Sequence, residues 1–224
     1  IRPVSVVLTE GPLDAASSER IAAYGRSGTN DLTSRLSQGA IWRIEKALRR
    51  RADQRGETWL IPPSNPIYFE TYTSGVRPWA AFFSIWAACL DWPHSMDAEG
   101  YDIATRQRKR VIAMESLEEQ LAVLDAIPVE RIVRQLDDAA GWDDYARDYV
   151  RLFMDGDLEG IIALTSRFVT RGPVVIGVRD QRMFEVMRPV FDAGDAVAFV
   201  GFPHVPGVTH LFREAGYTVE QVTA

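Results

Sequence analysis

Lys109-Arg110-Val111-Ile112-Ala113-Met114-Glu115-Ser116-Leu117-Glu118-Glu119 is the stretch that decides the fold class. Its first six residues form a short, largely apolar run that reads as a strand ending at Glu115. Ser116 and Glu119 then match the S-x-x-E capping box that opens a helix. A buried strand that feeds directly into a helix is the repeating step of an α/β sheet.

The same step recurs to either side. Upstream, Val4-Ser5-Val6-Val7-Leu8 is β-branched and apolar, and Gly11-Pro12 stops it, which leaves Glu10 at a strand's carboxyl end. Downstream, Ala196 to Val200 reads as a strand running into Gly201-Phe202-Pro203-His204. Pro173 to Val178 reads as a further strand, closed by Arg179-Asp180 before a helix that Pro189 should kink or split. Tyr217 to Val222 alternates as a last edge strand.

Between these strands the periodicity is helical. Leu117, Leu121, Leu124 and Ile127 mark one helix, and Val129, Ile132, Val133 and Leu136 mark another beginning past Pro128. Two more are expected around Tyr145 to Met154 and Leu158 to Phe168. Ile44, Ala47 and Leu48 place a surface helix in an Arg-rich stretch, where Arg49-Arg50-Arg51 is an anion patch or a solvated face. Trp79, Phe82, Phe83 and Trp86 recur at helical spacing, forming an apolar wall that lines a ligand groove or packs a core. The expected architecture is α/β, with a mixed, mostly parallel central sheet flanked by helices. Residues 1–224 form a single domain, and 17–97 are its mainly helical cap or insertion.

Composition narrows the function. At 224 residues the chain has room for one large domain. Hydrophobic residues at 46% supply a sizeable core. Lys plus Arg is 25 against 31 for Asp plus Glu, a net charge of −6, so the chain lacks a nucleic-acid binder's basic footprint. The lone Cys89 excludes an internal disulfide and every Cys-rich zinc motif. Pro78 to Trp92 is too short to span a bilayer, which takes roughly 20 apolar residues, and no signal peptide opens the chain. Ile1 is not a start methionine, so upstream residues are expected to have been removed. The cytoplasm is the expected compartment, or the periplasm if a signal peptide has been cut away.

In open α/β sheets ligands bind outside the carboxyl ends of the strands, so Glu10, Glu115, Arg179, Asp180 and His204 are expected to share one rim. Of the three histidines, His94, His204 and His210, only His204 directly follows a buried-looking strand. It is read as a metal ligand or general base, or as a hydrogen-bonded structural residue. Glu115 also reads as a residue preceding a helix cap, and Arg179-Asp180 as a catalytic pair or an ion pair that caps a helix. No Walker loop, Rossmann fingerprint, G-x-S-x-G elbow or H-E-x-x-H occurs.

Gly201-Phe202-Pro203-His204-Val205-Pro206-Gly207, with Leu211-Phe212 and Gly216-Tyr217-Thr218-Val219, resembles the C-terminal G-x-x-H segment of the TraB/GumN family, to which the Tiki proteases also belong. Glu10-Gly11-Pro12-Leu13-Asp14 resembles its strand-ending glutamate, Arg77-Pro78-Trp79 its helix opening, and Ser95 to Glu99 a segment of one bacterial branch. Met114-Glu115 with Glu119-Gln120 resembles its second glutamate strand. Gly156-Asp157-Leu158 resembles its short turn, and Arg179-Asp180 with Met183 its Arg-Asp pattern. The family's first G-x-x-H, expected upstream of Glu10, is not in the chain.

This resemblance implies a metal-dependent hydrolase acting on peptides. It assigns a divalent metal ion to His204 and Glu10, with Glu115 as a second acidic group and Arg179 as an oxyanion or carboxylate clamp. Arg179, Asp180 and Trp79 would touch substrate. Without the other histidine, weak metal binding and no hydrolase activity are expected of the chain as given. The alternative is a protein of the same fold that binds a peptide or small molecule without turnover. A third reading, an interaction protein using the Trp79 to Trp92 wall, predicts a homodimer.

Overall fold

The computed structural model describes residues 4–54, 66–90, 95–172 and 176–222. Three strands, β1 (Val6–Thr9), β2 (Arg110–Ala113) and β3 (Ala196–Phe199), form an open sheet in the order β2-β1-β3. Both pairings are parallel, with Val6 opposite Arg110 on one side and Ala196 on the other. Every connection is therefore a crossover, and helices supply it. Between β1 and β2 run α1 (Ala15–Gly25), α2 (Leu32–Arg35), α3 (Gln38–Gln54), α4 (Ile67–Thr73), α5 (Pro78–Leu90) and α6 (Met96–Arg106). Between β2 and β3 run α7 (Leu117–Asp125), α8 (Val129–Asp137), α9 (Trp142–Met154), α10 (Leu158–Leu164) and α11 (Gly177–Asp192), and α12 (Val205–Glu214) follows β3.

Local chemistry accounts for these boundaries. The capping box forms as read: the Glu119 amide N–H donates to Ser116 Oγ, and the Ser116 amide N–H to the Glu119 carboxylate at 2.7 Å. Asp14 caps α1 in the same manner, accepting the Ser17 amide N–H. Pro189 lies inside α11 without splitting it. The helix has only three residues left to run, so the absent N–H costs one bond near its end.

Two expected strands differ. Pro173 to Val175 lie outside the described residues, and Ile176 to Val178 enter α11 rather than the sheet. A short apolar run carries no periodicity that separates a strand from a helix start. Tyr217 to Val222 form no ladder. Tyr217 and Val219 do turn inward on alternate positions, but against Phe212 and its neighbours. The alternation records one-sided burial, and among the described residues no strand lies alongside to pair with it.

The interior has two parts. The larger is helical, centred on Phe69, Phe82, Ile85, Ile44 and Leu136, all buried. The smaller joins the sheet to α11 and α12 through Leu8, Met114, Met183, Met187, Val208 and Phe212. Trp79, Phe82 and Trp86 belong to the larger core, and Phe83 packs half-buried against it. The Arg49 to Arg51 run is also engaged internally. Arg49 pairs with Glu45 at 3.1 Å, Arg50 with Asp143 at 3.7 Å, and Arg51 donates to the Cys89 carbonyl. Burial pushes the Cys89 thiol up to about 12, so it remains protonated at neutral pH. Among the described residues no helix is long and apolar enough to cross a membrane.

A candidate active site at the carboxyl ends of the strands

With β1 central, the chain leaves it to one side for β2 and returns on the other for β3, and the carboxyl ends of all three strands open onto the same crevice. The β1–β2 ladder continues past the strands, since the Met114 N–H donates to the Thr9 carbonyl and the Glu115 N–H to the Glu10 carbonyl at 2.8 Å. The backbone thus locks the two glutamates side by side.

Two like charges that close need a cation between them. Arg179, in the first turn of α11, supplies it. Its Nε and Nη2 donate to the two Glu115 oxygens, both at 2.7 Å, and Nη2 also reaches Glu10 Oε2 at 2.8 Å. The bidentate arrangement matches the planar guanidinium fork. Glu115 is buried, and burial works against the Arg179 charge, but the hydrogen bonds and charges of Glu115 and Glu10 outweigh it and raise its pKa. The second Glu10 oxygen accepts the Gly201 N–H at 2.5 Å, and Gly201 leaves the space that carboxylate occupies.

The neighbouring residue of α11 makes the second pair. Asp180 Oδ1 lies 2.5 Å from His204 Nδ1, and both side chains are buried. Burial holds the Asp180 pKa above the ordinary carboxylate value, although the His204 hydrogen bond and charge pull it back. The first turn of α12 seats this carboxylate, because a Cβ on Gly207 would overlap it. With Nδ1 engaged, Nε2 is the His204 nitrogen left for a ligand or proton.

The two pairs border a cavity of about 360 Å³ lined by Glu10, Asp97, Gln120, Arg179, Gly201 and His204, with Val123, Leu124, Ile127 and Pro203 as an apolar wall. Asp97, in the first turn of α6, was not read as a site residue. Burial, and then the Glu10 charge, raise its pKa. Gln120 was also missed. Gly11 is its trace in the sequence, since a Cβ there would overlap the Gln120 carboxamide.

Five of the six expected residues thus meet in two contacting groups beside one crevice, Glu10–Arg179–Glu115 and Asp180–His204. Trp79 does not. It lines a different recess with Ser18 and Thr71, and its indole N–H donates to Asp125 at 2.8 Å. Asp125 also binds Arg77 and the Tyr24 hydroxyl, so the Arg77-Pro78-Trp79 segment anchors a helix. His210 is exposed and faces Glu214 at 3.4 Å, and His94 lies outside the described residues.

As cation donors, the residues fall short. Glu115 gives both oxygens to Arg179, and Glu10 divides its own between Arg179 and a backbone N–H. Among the described residues no three His, Cys, Asp or Glu side chains group as a metal centre. A catalytic divalent site takes about three protein ligands, and His204 with Glu10 makes two.

A parallel α/β sheet with an arginine-clamped glutamate pair and an Asp–His pair at its carboxyl rim is the class that this geometry defines. The TraB/PrgY/gumN family model matches residues 3–221, nearly the whole chain, and the chain belongs to that family. No curated protein and no solved structure matches it.

Proposed function

We propose that the crevice is the active site of a hydrolase acting on peptides. The observation that carries this reading is the buried Asp180–His204 pair in the wall of a cavity that also holds two further carboxylates, Glu10 and Asp97. Asp180 accepts from Nδ1 and so presents a basic Nε2, which takes a proton from an attacking water. Asp97, whose pKa burial and the Glu10 charge raise, lines the same cavity and is assigned the transfer of a proton to the departing amine. Arg179 fixes Glu10 at the cavity edge, and Glu115 positions Arg179. The apolar wall from Val123 to Ile127 accommodates a side chain beside the scissile bond.

The metal that the family resemblance implies is incompletely provided for by His204 and Glu10, and no step here depends on it, so this reading departs from the inactivity expected for want of the other histidine. The chain retains a divalent cation weakly: metal analysis after dialysis against Mn²⁺ or Zn²⁺ is expected to find less than stoichiometric metal.

Cleavage of quenched fluorescent peptides, with and without added divalent metal, tests the function. His204→Ala is expected to lower kcat/KM by about a hundredfold or more, the scale of a lost general base. Equal rates in wild type and His204→Ala would contradict the assignment. A second reading, peptide or small-molecule binding without turnover, draws on the fact that Arg179 already binds both clamped glutamates. It predicts saturable peptide binding with no product.

A further inference from the structure

Beside the catalytic cavity lies a second one of about 350 Å³, and the two share Thr170, Gly201 and Pro203 as a common wall. Its sides are aromatic: Phe83, Trp86, Tyr145, Tyr149, Phe168 and Phe202. The rings pack edge to face and stacked against one another, with Trp86 and Phe168 centroids 5.1 Å apart and Tyr149 and Phe202 5.6 Å apart, so the walls are preformed. Among the described residues, one cation lines this box. Arg171 donates through Nη2 to Thr165 Oγ1 at 2.9 Å, and its guanidinium stands 5.1 Å from the Phe202 ring centroid.

Arg171 differs from Arg179 in one respect. No carboxylate among the described residues pairs with it, and its Nε is buried without a hydrogen-bond partner. Burial also lowers its pKa, the direction expected of a guanidinium whose charge is desolvated and unanswered. A half-buried, unpaired cation in an aromatic box is complementary to a ligand that brings both an aryl ring and a negative charge.

We propose that this second cavity is the subsite for the C-terminal aromatic residue of a peptide, its ring held among Trp86, Tyr145, Tyr149 and Phe202 and its terminal carboxylate on Arg171. The proposal rests on the peptide-hydrolase reading for the identity of the ligand, and it gives the bound peptide a direction. The preceding peptide bond then faces the shared wall of Gly201 and Pro203, next to His204.

Binding without turnover tests it, so its failure is separable from failure of the catalytic assignment. N-acetyl-phenylalanine, N-acetyl-phenylalanine amide and N-acetyl-alanine are titrated into the wild-type chain by calorimetry or NMR. The acid is expected to bind about tenfold tighter than its amide, the scale of one charge-assisted hydrogen bond, and about tenfold tighter than the alanine acid. Arg171→Met, which retains the stem, is expected to bring the acid down to the amide, with a thermal melt to confirm folding. Equal affinities for acid and amide, or for phenylalanine and alanine, or no binding of any of the three, would overturn the subsite. The wild-type comparison stands even if the variant does not fold.

Discussion

Arg179 is the residue on which the rim depends, because it alone separates two glutamates that the β1–β2 ladder forces together. Removing it leaves uncompensated charge, one member of which is almost wholly buried, and such losses cost about 3–5 kcal/mol. Arg179→Met is expected to lower the melting temperature at pH 7 strongly, and adding Glu115→Gln should recover part of the loss. Additive losses in the double variant would show that the clamp is not the source. Asp97 gives a second test, with a sign fixed by its raised pKa. Between the ordinary value of 3.8 and the raised one, the folded state keeps a proton that the unfolded chain has released. Stability therefore falls as pH rises through that window, and the penalty is complete above it. Asp97→Asn removes it, so thermal melts should show stabilisation at pH 7 and none at pH 3. The same gain at both values would mean that Asp97 is not strained by its site.

Among the elements, those with a local physical signature were legible in the sequence and those defined by partners were not. The strand ending at Glu115 and the helix after it combine an apolar run with a capping pair, and both form as read. Ser116→Ala should cost about 1 kcal/mol in chemical denaturation, and an unchanged midpoint would show that the cap adds nothing. The Tyr217 to Val222 segment shows the converse. Its alternation correctly marks Tyr217 and Val219 as inward, yet pairing depends on a neighbour that one segment cannot specify. The Ile176 to Val178 run fails for a related reason, since Gly177 begins the helix that places Arg179 and Asp180 in its first turn. That placement is what carries these two side chains, one residue apart, to different carboxylate and imidazole partners.

At the scale of the whole molecule, the strand-end rule places Glu10, Glu115 and His204 at one rim, and the fold brings them there. Phe83 and Trp86 were legible as an apolar wall, whereas Asp97 and Arg171 were hidden, because they reach the crevice through the packing of α6 and the segment after α10, which no local pattern records. Trp79 opens α5 as its resemblance implies but lies outside the crevice, where its indole bonds Asp125. The central claim is that the Asp180–His204 pair is a working catalytic base and not a buried structural contact. Asp180→Asn tests it most directly, since it preserves shape and burial while removing the carboxylate that holds the imidazole proton. Measured on a cleaved peptide, kcat is predicted to fall by about a hundredfold with KM nearly unchanged. A variant that folds and retains the wild-type kcat would contradict the account.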